Sequence, residues 1–137
     1  MWLPLYLTHL ATAYAELGQF DGAWRCVDEA MTTIGTTRER WYEAEVNRTA
    51  GDITLLSPAP DAVKAESYFN RALSVAREQK ARSFELRAAT SLARLWRDQG
   101  KQHQARELLA PVYNWFTEGF ETTDLAKARA LLDAPAA

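Results

Sequence analysis

A chain of 137 residues, 47% hydrophobic and 25% charged, has the size and balance of one soluble globular domain with a real core. Its 16 basic and 18 acidic residues argue against sequence-independent nucleic-acid binding, which needs many phosphate contacts, and no apolar run approaches the ~18 residues of a membrane helix. Cys26 is the only cysteine, so no intramolecular disulfide can form, and a reducing cytoplasmic setting fits best.

Apolar residues recur at three and four, which predicts helices almost throughout. The stretch from Trp2 to Leu10 has no basic flank and no small-residue cleavage site, so it reads as a first helix rather than a signal peptide. Leu3, Leu7, Leu10, Tyr14 and Leu17 form one stripe of that helix, and Gly18 stands where a left-handed stop is wanted. A second helix presents Phe20, Ala23, Trp24, Val27, Ala30 and Ile34 and stops near Gly35. Thr36 with Glu39 has capping-box spacing and is expected to open the third helix, which carries Trp41, Tyr42, Val46, Ile53 and Leu56. Gly51 lies inside it at a cost of about 1 kcal/mol relative to Ala, and reads as a point of close helix approach. The loop Ser57-Pro58-Ala59-Pro60-Asp61 separates it from a fourth helix with Ala65, Tyr68, Phe69, Ala72, Leu73 and Ala76.

The boundary with the fifth helix falls near Gln79 to Ser83, without Gly or Pro to mark it. The fifth helix (Phe84, Leu86, Ala88, Ala89, Leu92, Leu95, Trp96) stops at Gly100, and the sixth contains Pro111, which predicts a kink near Glu107. Thr123 is expected to cap a short last helix with Leu125, Ala128 and Leu132 inward and Lys127 and Arg129 on a polar outer side.

A spaced pattern organises these elements. Leu10-Ala11, Tyr14, Gly18, Phe20, Ala23, Val27 and Ala30 are echoed by Leu92-Ala93, Trp96, Gly100, Ala105 and Leu109, with a degenerate copy through Ala50-Gly51, Ala65, Phe69 and Ala72. Each copy reads as a helical hairpin that needs neighbours to bury its faces. The predicted fold is all-α: an α-α superhelix of the tetratricopeptide-like kind, with repeats over about 1–36, 37–79 and 80–118 and a capping helix over about 123–133. The first helix has no polar outer side. Trp2, Leu5 and Tyr6 form a second apolar face, read as an open end continued by upstream repeats, as a homodimer interface, or as ordinary surface aromatics.

From Ala65 to Leu132 the chain resembles a bacterial family, most specifically where SFELRAATSLARLW leads towards LLAPVYNWFTEGFETTDL; EAEVNRTAGDITLL is similar more loosely. These segments look like the C-terminal tetratricopeptide-like end of large predicted-ATPase regulators. In that family the repeats follow a nucleotide-binding signalling ATPase, with a cyclase or winged-helix output part ahead of it. The resemblance implies a regulatory region that senses a ligand or a protein. None of the family's catalytic motifs can be matched to any residue here.

The chemistry-bearing residues are few. The glycines are dispersed, so no phosphate loop is expected, and His9 and His103 have no second ligand at metal spacing. Cys26, with Arg25 beside it, reads as a small core residue, and no catalytic residue, metal or cofactor is expected. Trp24, Trp96 and Trp115 read as packing residues. In a superhelix the first helix of each hairpin lines the inner curve. That places Leu5, Thr8, Thr12, Ala15 and Glu16, then Glu45, Arg48, Asp52, Leu55 and Leu56, then Arg87, Thr90, Arg94, Arg97 and Asp98 towards a groove.

The expected binding set is Arg48, Asp52, Arg87, Thr90, Arg94 and Arg97, whose guanidinium forks suit an acidic peptide, a chain terminus or a phosphorylated small molecule. The competing reading is a solvated face of i,i+4 ion pairs, Arg48 with Asp52 and Arg94 with Asp98. A small-molecule sensor and an oligomerisation element are the alternatives to protein or peptide binding.

Overall fold

The computed structural model describes residues 3–37, 40–116 and 122–133. They form seven helices and no strand: α1 (Leu3–Glu16), α2 (Phe20–Thr37), α3 (Glu43–Leu56), α4 (Ala62–Glu78), α5 (Arg82–Asp98), α6 (Gln102–Trp115) and α7 (Thr123–Asp133). Among the described residues no helix is long and apolar enough to cross a membrane. Trp2, Glu39 and most of the connection from Glu118 to Thr122 lie outside the described residues.

Three of the turns share one geometry. At the end of α1, Gly18 takes φ +77 and the amide of Gln19 donates to the Tyr14 carbonyl at 2.8 Å. At the end of α5, Gly100 takes φ +81 and Lys101 donates to Trp96 at 2.8 Å. This is the six-to-one bond of a left-handed helix stop, satisfying a carbonyl that the helix leaves open. The third copy ends α4, where Ala81 donates to the Ala76 carbonyl at 2.9 Å and the left-handed residue is Lys80, at φ 56. A glycine was absent at this boundary, and a lysine takes the strained position instead.

Other helix ends differ from expectation. Thr36 lies inside α2, which runs two residues past Gly35, and α3 begins at Glu43 with Trp41 and Tyr42 in the turn ahead of it, so no capping box opens it. Asp61 caps α4 by accepting from the Lys64 amide at 3.0 Å. Thr122, not Thr123, reaches the start of α7: its Oγ1 accepts from the Leu125 amide at 3.4 Å. Leu17 lies beyond α1 and is 72% exposed, outside the apolar stripe. Helix α6 continues through Pro111.

Packing follows the chain. α1 lies against α2, α3 against α4, and α5 against α6. The odd helices α1, α3, α5 and α7 also touch in turn, whereas α2, α4 and α6 each reach only the odd helices beside them. One core joins α1, α2 and α3 around Ala11, Ala23, Val27, Tyr42, Val46 and Ile53. A second joins α4 to α7 around Phe69, Leu73, Leu86, Leu92, Leu109 and Leu125. Leu55 of α3 packs on the second core and Tyr68 of α4 on the first, so the α3–α4 hairpin links the two.

Gly51 is the closest point of that hairpin. A Cβ there would meet the Phe69 ring at 2.4 Å, and Phe69 is fully buried. The missing side chain is what lets the ring lie against the α3 backbone.

Candidate functional site

Helix α3 is unusual in burying polar residues on several sides, because helices press on it from both halves of the chain. Asn47, Thr49 and Thr54 return their donors to carbonyls four residues back at 2.8 to 3.0 Å. Glu45 cannot do so, since a carboxylate only accepts. It lies 2% exposed and is matched by two arginines from different helices. Arg48 grips it with both prongs, Nε to Oε2 at 3.0 Å and Nη2 to Oε1 at 2.6 Å. Arg87 of α5 reaches the same Oε1 with Nη1 at 2.8 Å.

The network extends in both directions. Arg48 Nη1 binds Asp52 Oδ2 at 2.8 Å and lies 3.5 Å from the Ser91 hydroxyl of α5. Arg87 Nε faces Asp124 Oδ1 of α7 at 3.6 Å. Burial works against the Arg48 charge, but the bond and field of Glu45, with Asp52 and Asp124, more than offset it and the net shift is upward. Burial also raises the Asp52 pKa above its ordinary 3.8, outweighing the pull of Arg48 and Arg94. The network thus ties α3, α5 and α7 together through charge, beside the apolar core that they share.

Over this network opens a cleft lined by Arg48, Arg87, Thr90, Ser91, Arg94, Asp124 and Lys127, with room of about 50 Å³. Thr90 donates its hydroxyl to the Leu86 carbonyl at 2.7 Å, which leaves it a wall rather than a hand. Arg94 is exposed, and among the described residues no carboxylate forms an ion pair with Arg94 or Lys127.

Of the residues expected in the groove, Arg48, Asp52, Arg87, Thr90 and Arg94 belong to this cleft or its supporting network. Arg97 does not: it pairs with its neighbour Asp98 at 3.2 Å and lines a separate crevice against α6 and α7 with Gln102, Arg106 and Leu132. The expected pair of Arg94 with Asp98 is not formed. Thr8 and Ala15 are buried, so the α1 segment of the expected groove is partly core. Leu5 is half-buried and Tyr6 is 60% exposed, while Trp2 lies outside the described residues.

Sequence reasoning missed the α7 contribution. Lys127, assigned to a polar outer side by helical spacing, lines the cleft, and Asp124 sits at its lip. No local signal could have found them, because the approach of α7 to α5 is a tertiary fact.

No protein-family model matches the chain, nor does any curated protein or solved structure.

Elsewhere the reactive groups are ordinary. Burial, with Glu29, pushes the buried Cys26 thiol up in spite of Arg25, so the neutral form prevails. His103 pairs with Glu107 at 2.6 Å on an exposed turn of α6. Among the described residues no group of three His, Cys, Asp or Glu is placed to hold a metal ion. Trp96 packs half-buried and donates Nε1–H to Glu66 at 2.8 Å, and Trp24 lies 6.1 Å from the Tyr68 ring. Trp115 departs from its expected packing role, being 54% exposed with the Arg82 guanidinium 4.9 Å over its ring.

Proposed function

We propose that the chain is a non-catalytic interaction module, a cytoplasmic tetratricopeptide-like superhelix whose α3, α5 and α7 face receives an acidic peptide or protein segment. The observation that carries this reading is the convergence of Arg48, Arg87, Arg94 and Lys127 on one cleft. Four cations from three helices, with Asp124 the sole carboxylate on the lining, form a surface complementary to negative charge. The order of helix contacts supports the repeat reading, since the odd helices form one continuous row. The resemblance of residues 65–132 to the C-terminal ends of bacterial signalling-ATPase regulators supports a place in such a regulator.

Size weighs against a metabolite sensor. Small-molecule sites enclose roughly 300–1,000 Å³, whereas this cleft offers about 50 Å³. It holds a functional group, not a whole metabolite.

The test is the binding of a fluorescent glutamate-rich peptide, followed by anisotropy. Affinity is expected to fall steeply with added salt and to be lost on Arg94→Glu. Equal binding of an uncharged peptide, or indifference to Arg94→Glu, rules the reading out.

A further inference from the structure

The cleft is far richer in donors than in acceptors, and that imbalance describes its ligand. A guanidinium carries five N–H donors and an ammonium three. Arg48 commits its Nε and both terminal nitrogens to Glu45 and Asp52. Arg87 commits only Nη1 at hydrogen-bond distance, its Nε lying 3.6 Å from Asp124. Arg94 and Lys127 have no ion-pair partner among the described residues. Ser91 receives a long 3.5 Å contact from Arg48, which leaves its proton available to the cleft. Against these donors the lining offers one carboxylate, Asp124.

Charge divides the same way. From α3, Glu45 and Asp52 face Arg48; from α5, Arg87 faces Glu45; from α7, Asp124 faces Arg87. These three carboxylates serve the two rear arginines. The two forward cations, Arg94 on α5 and Lys127 on α7, form no ion pair among the described residues, although Arg94 shares the field of Asp52 with Arg48. A carboxylate offers only two acceptor oxygens to this pair. A phosphomonoester carries about −1.5 to −2 at pH 7 with three acceptor oxygens, enough to meet both side chains at once.

We propose that this cleft is a phosphoryl subsite in which Arg94 and Lys127 bind the phosphoryl oxygens directly, while Glu45 holds Arg87 and Arg48 as the charged rear wall. Donors arriving from two helices, Arg94 from α5 and Lys127 from α7, suit a tetrahedral group better than a planar one. With about 50 Å³ available, the phosphoryl group enters and whatever carries it stays outside. The inference rests on the reading of this face as a binding face, and specifies what the acidic partner presents: a phosphorylated side chain.

The experiment titrates the intact chain with inorganic phosphate, with a phosphoserine peptide and with the same peptide carrying glutamate, following backbone and side-chain NMR resonances of α5 and α7. The phosphopeptide is expected to bind about tenfold more tightly than the glutamate peptide, and inorganic phosphate to perturb the same resonances weakly. Phosphopeptide affinity is expected to drop as pH falls through about 6, where the second phosphate proton returns. Arg94→Gln and Lys127→Gln, both at exposed positions, are each expected to weaken phosphopeptide binding about tenfold without changing the melting temperature.

Equal affinity for the glutamate peptide, or no pH dependence near 6, overturns the phosphoryl subsite while leaving an acidic-peptide face intact. Phosphate binding at Arg94 and Lys127 without binding of either peptide supports the subsite, assigns it to a small phosphorylated molecule and overturns the peptide reading. No perturbation by any probe overturns both.

Discussion

Against α4, helix α3 presents the bare backbone at Gly51 to the fully buried ring of Phe69; against α5 it presents Glu45 and Arg48 to Arg87 and Ser91. The first interface is dry and decided by shape. The second is charged and decided by the matching of a buried carboxylate to two guanidiniums. Shape complementarity leaves nothing for a ligand to bind. The ionic seam consumes part of its donors and leaves the remainder facing the cleft. One helix therefore serves as core on one side and as the wall of the proposed binding cleft on the other.

The contrast predicts different responses to substitution. Glu45→Ala strands Arg48, only 17% exposed, beside Asp52 and removes the anchor of Arg87, and is expected to cost about 3 kcal/mol in chemical denaturation. Replacing Glu45, Arg48 and Arg87 together by Met is expected to recover most of that loss, because the carboxylates left behind, Asp52 and Asp124, are 34% and 41% exposed and reach water. A loss below about 1 kcal/mol for Glu45→Ala would mean that water solvates the arginines and that the seam is not held by charge.

Gly51→Ala comes next. Alanine gains about 1 kcal/mol in helix propensity, but its Cβ would sit 2.4 Å from the Phe69 ring. A net loss of about 2 kcal/mol is expected, independent of salt. A net gain would show that Phe69 can retreat and that the contact is not tight.

The smallest effect belongs to Asp52. Its raised pKa means that the folded chain holds this proton to higher pH than the unfolded chain does. Stability contributed here is therefore greatest in acid and declines as pH rises from 3.8 through the folded value. Asp52→Asn is expected to flatten that decline and to leave neutral-pH stability unchanged or slightly higher, measured by denaturation from about pH 4 to about pH 7. A marked loss at neutral pH would show that Asp52 anchors Arg48 as firmly as Glu45 does.

Much of the helical order is legible in the sequence. Gly18 and Gly100 mark their stops because a positive φ is cheap only for glycine, and the paired prolines mark the α3–α4 loop for an equally local reason. The α4–α5 stop was harder, since Lys80 adopts the left-handed conformation without the residue type that announces it. The Thr36–Glu39 spacing misled: α2 runs on to Thr37, and a two-residue match carries little weight against continued helix packing. Leu17 and Trp115 misled for a different reason, because helical phase continues on paper past the point where the chain has left its neighbours.

The candidate site shows the same division. Spacing alone put Arg48, Arg87 and Arg94 on one side of their helices, since residues three, four and seven apart share a face. What distinguishes Arg94 from Arg48 is invisible at that level: one forms no ion pair among the described residues and the other is bound to a buried carboxylate.

Helix positions, stops and the apolar stripes were determined by the sequence itself, because they depend on interactions reaching no further than about one turn. Which charges neutralise one another was decided only by the tertiary structure. Arg48 meets Ser91 across 43 positions, and Lys127 enters the cleft because α7 folds back onto α5. Coulombic and hydrogen-bond partners are set by distance in space, and that distance exists only once the helices have packed.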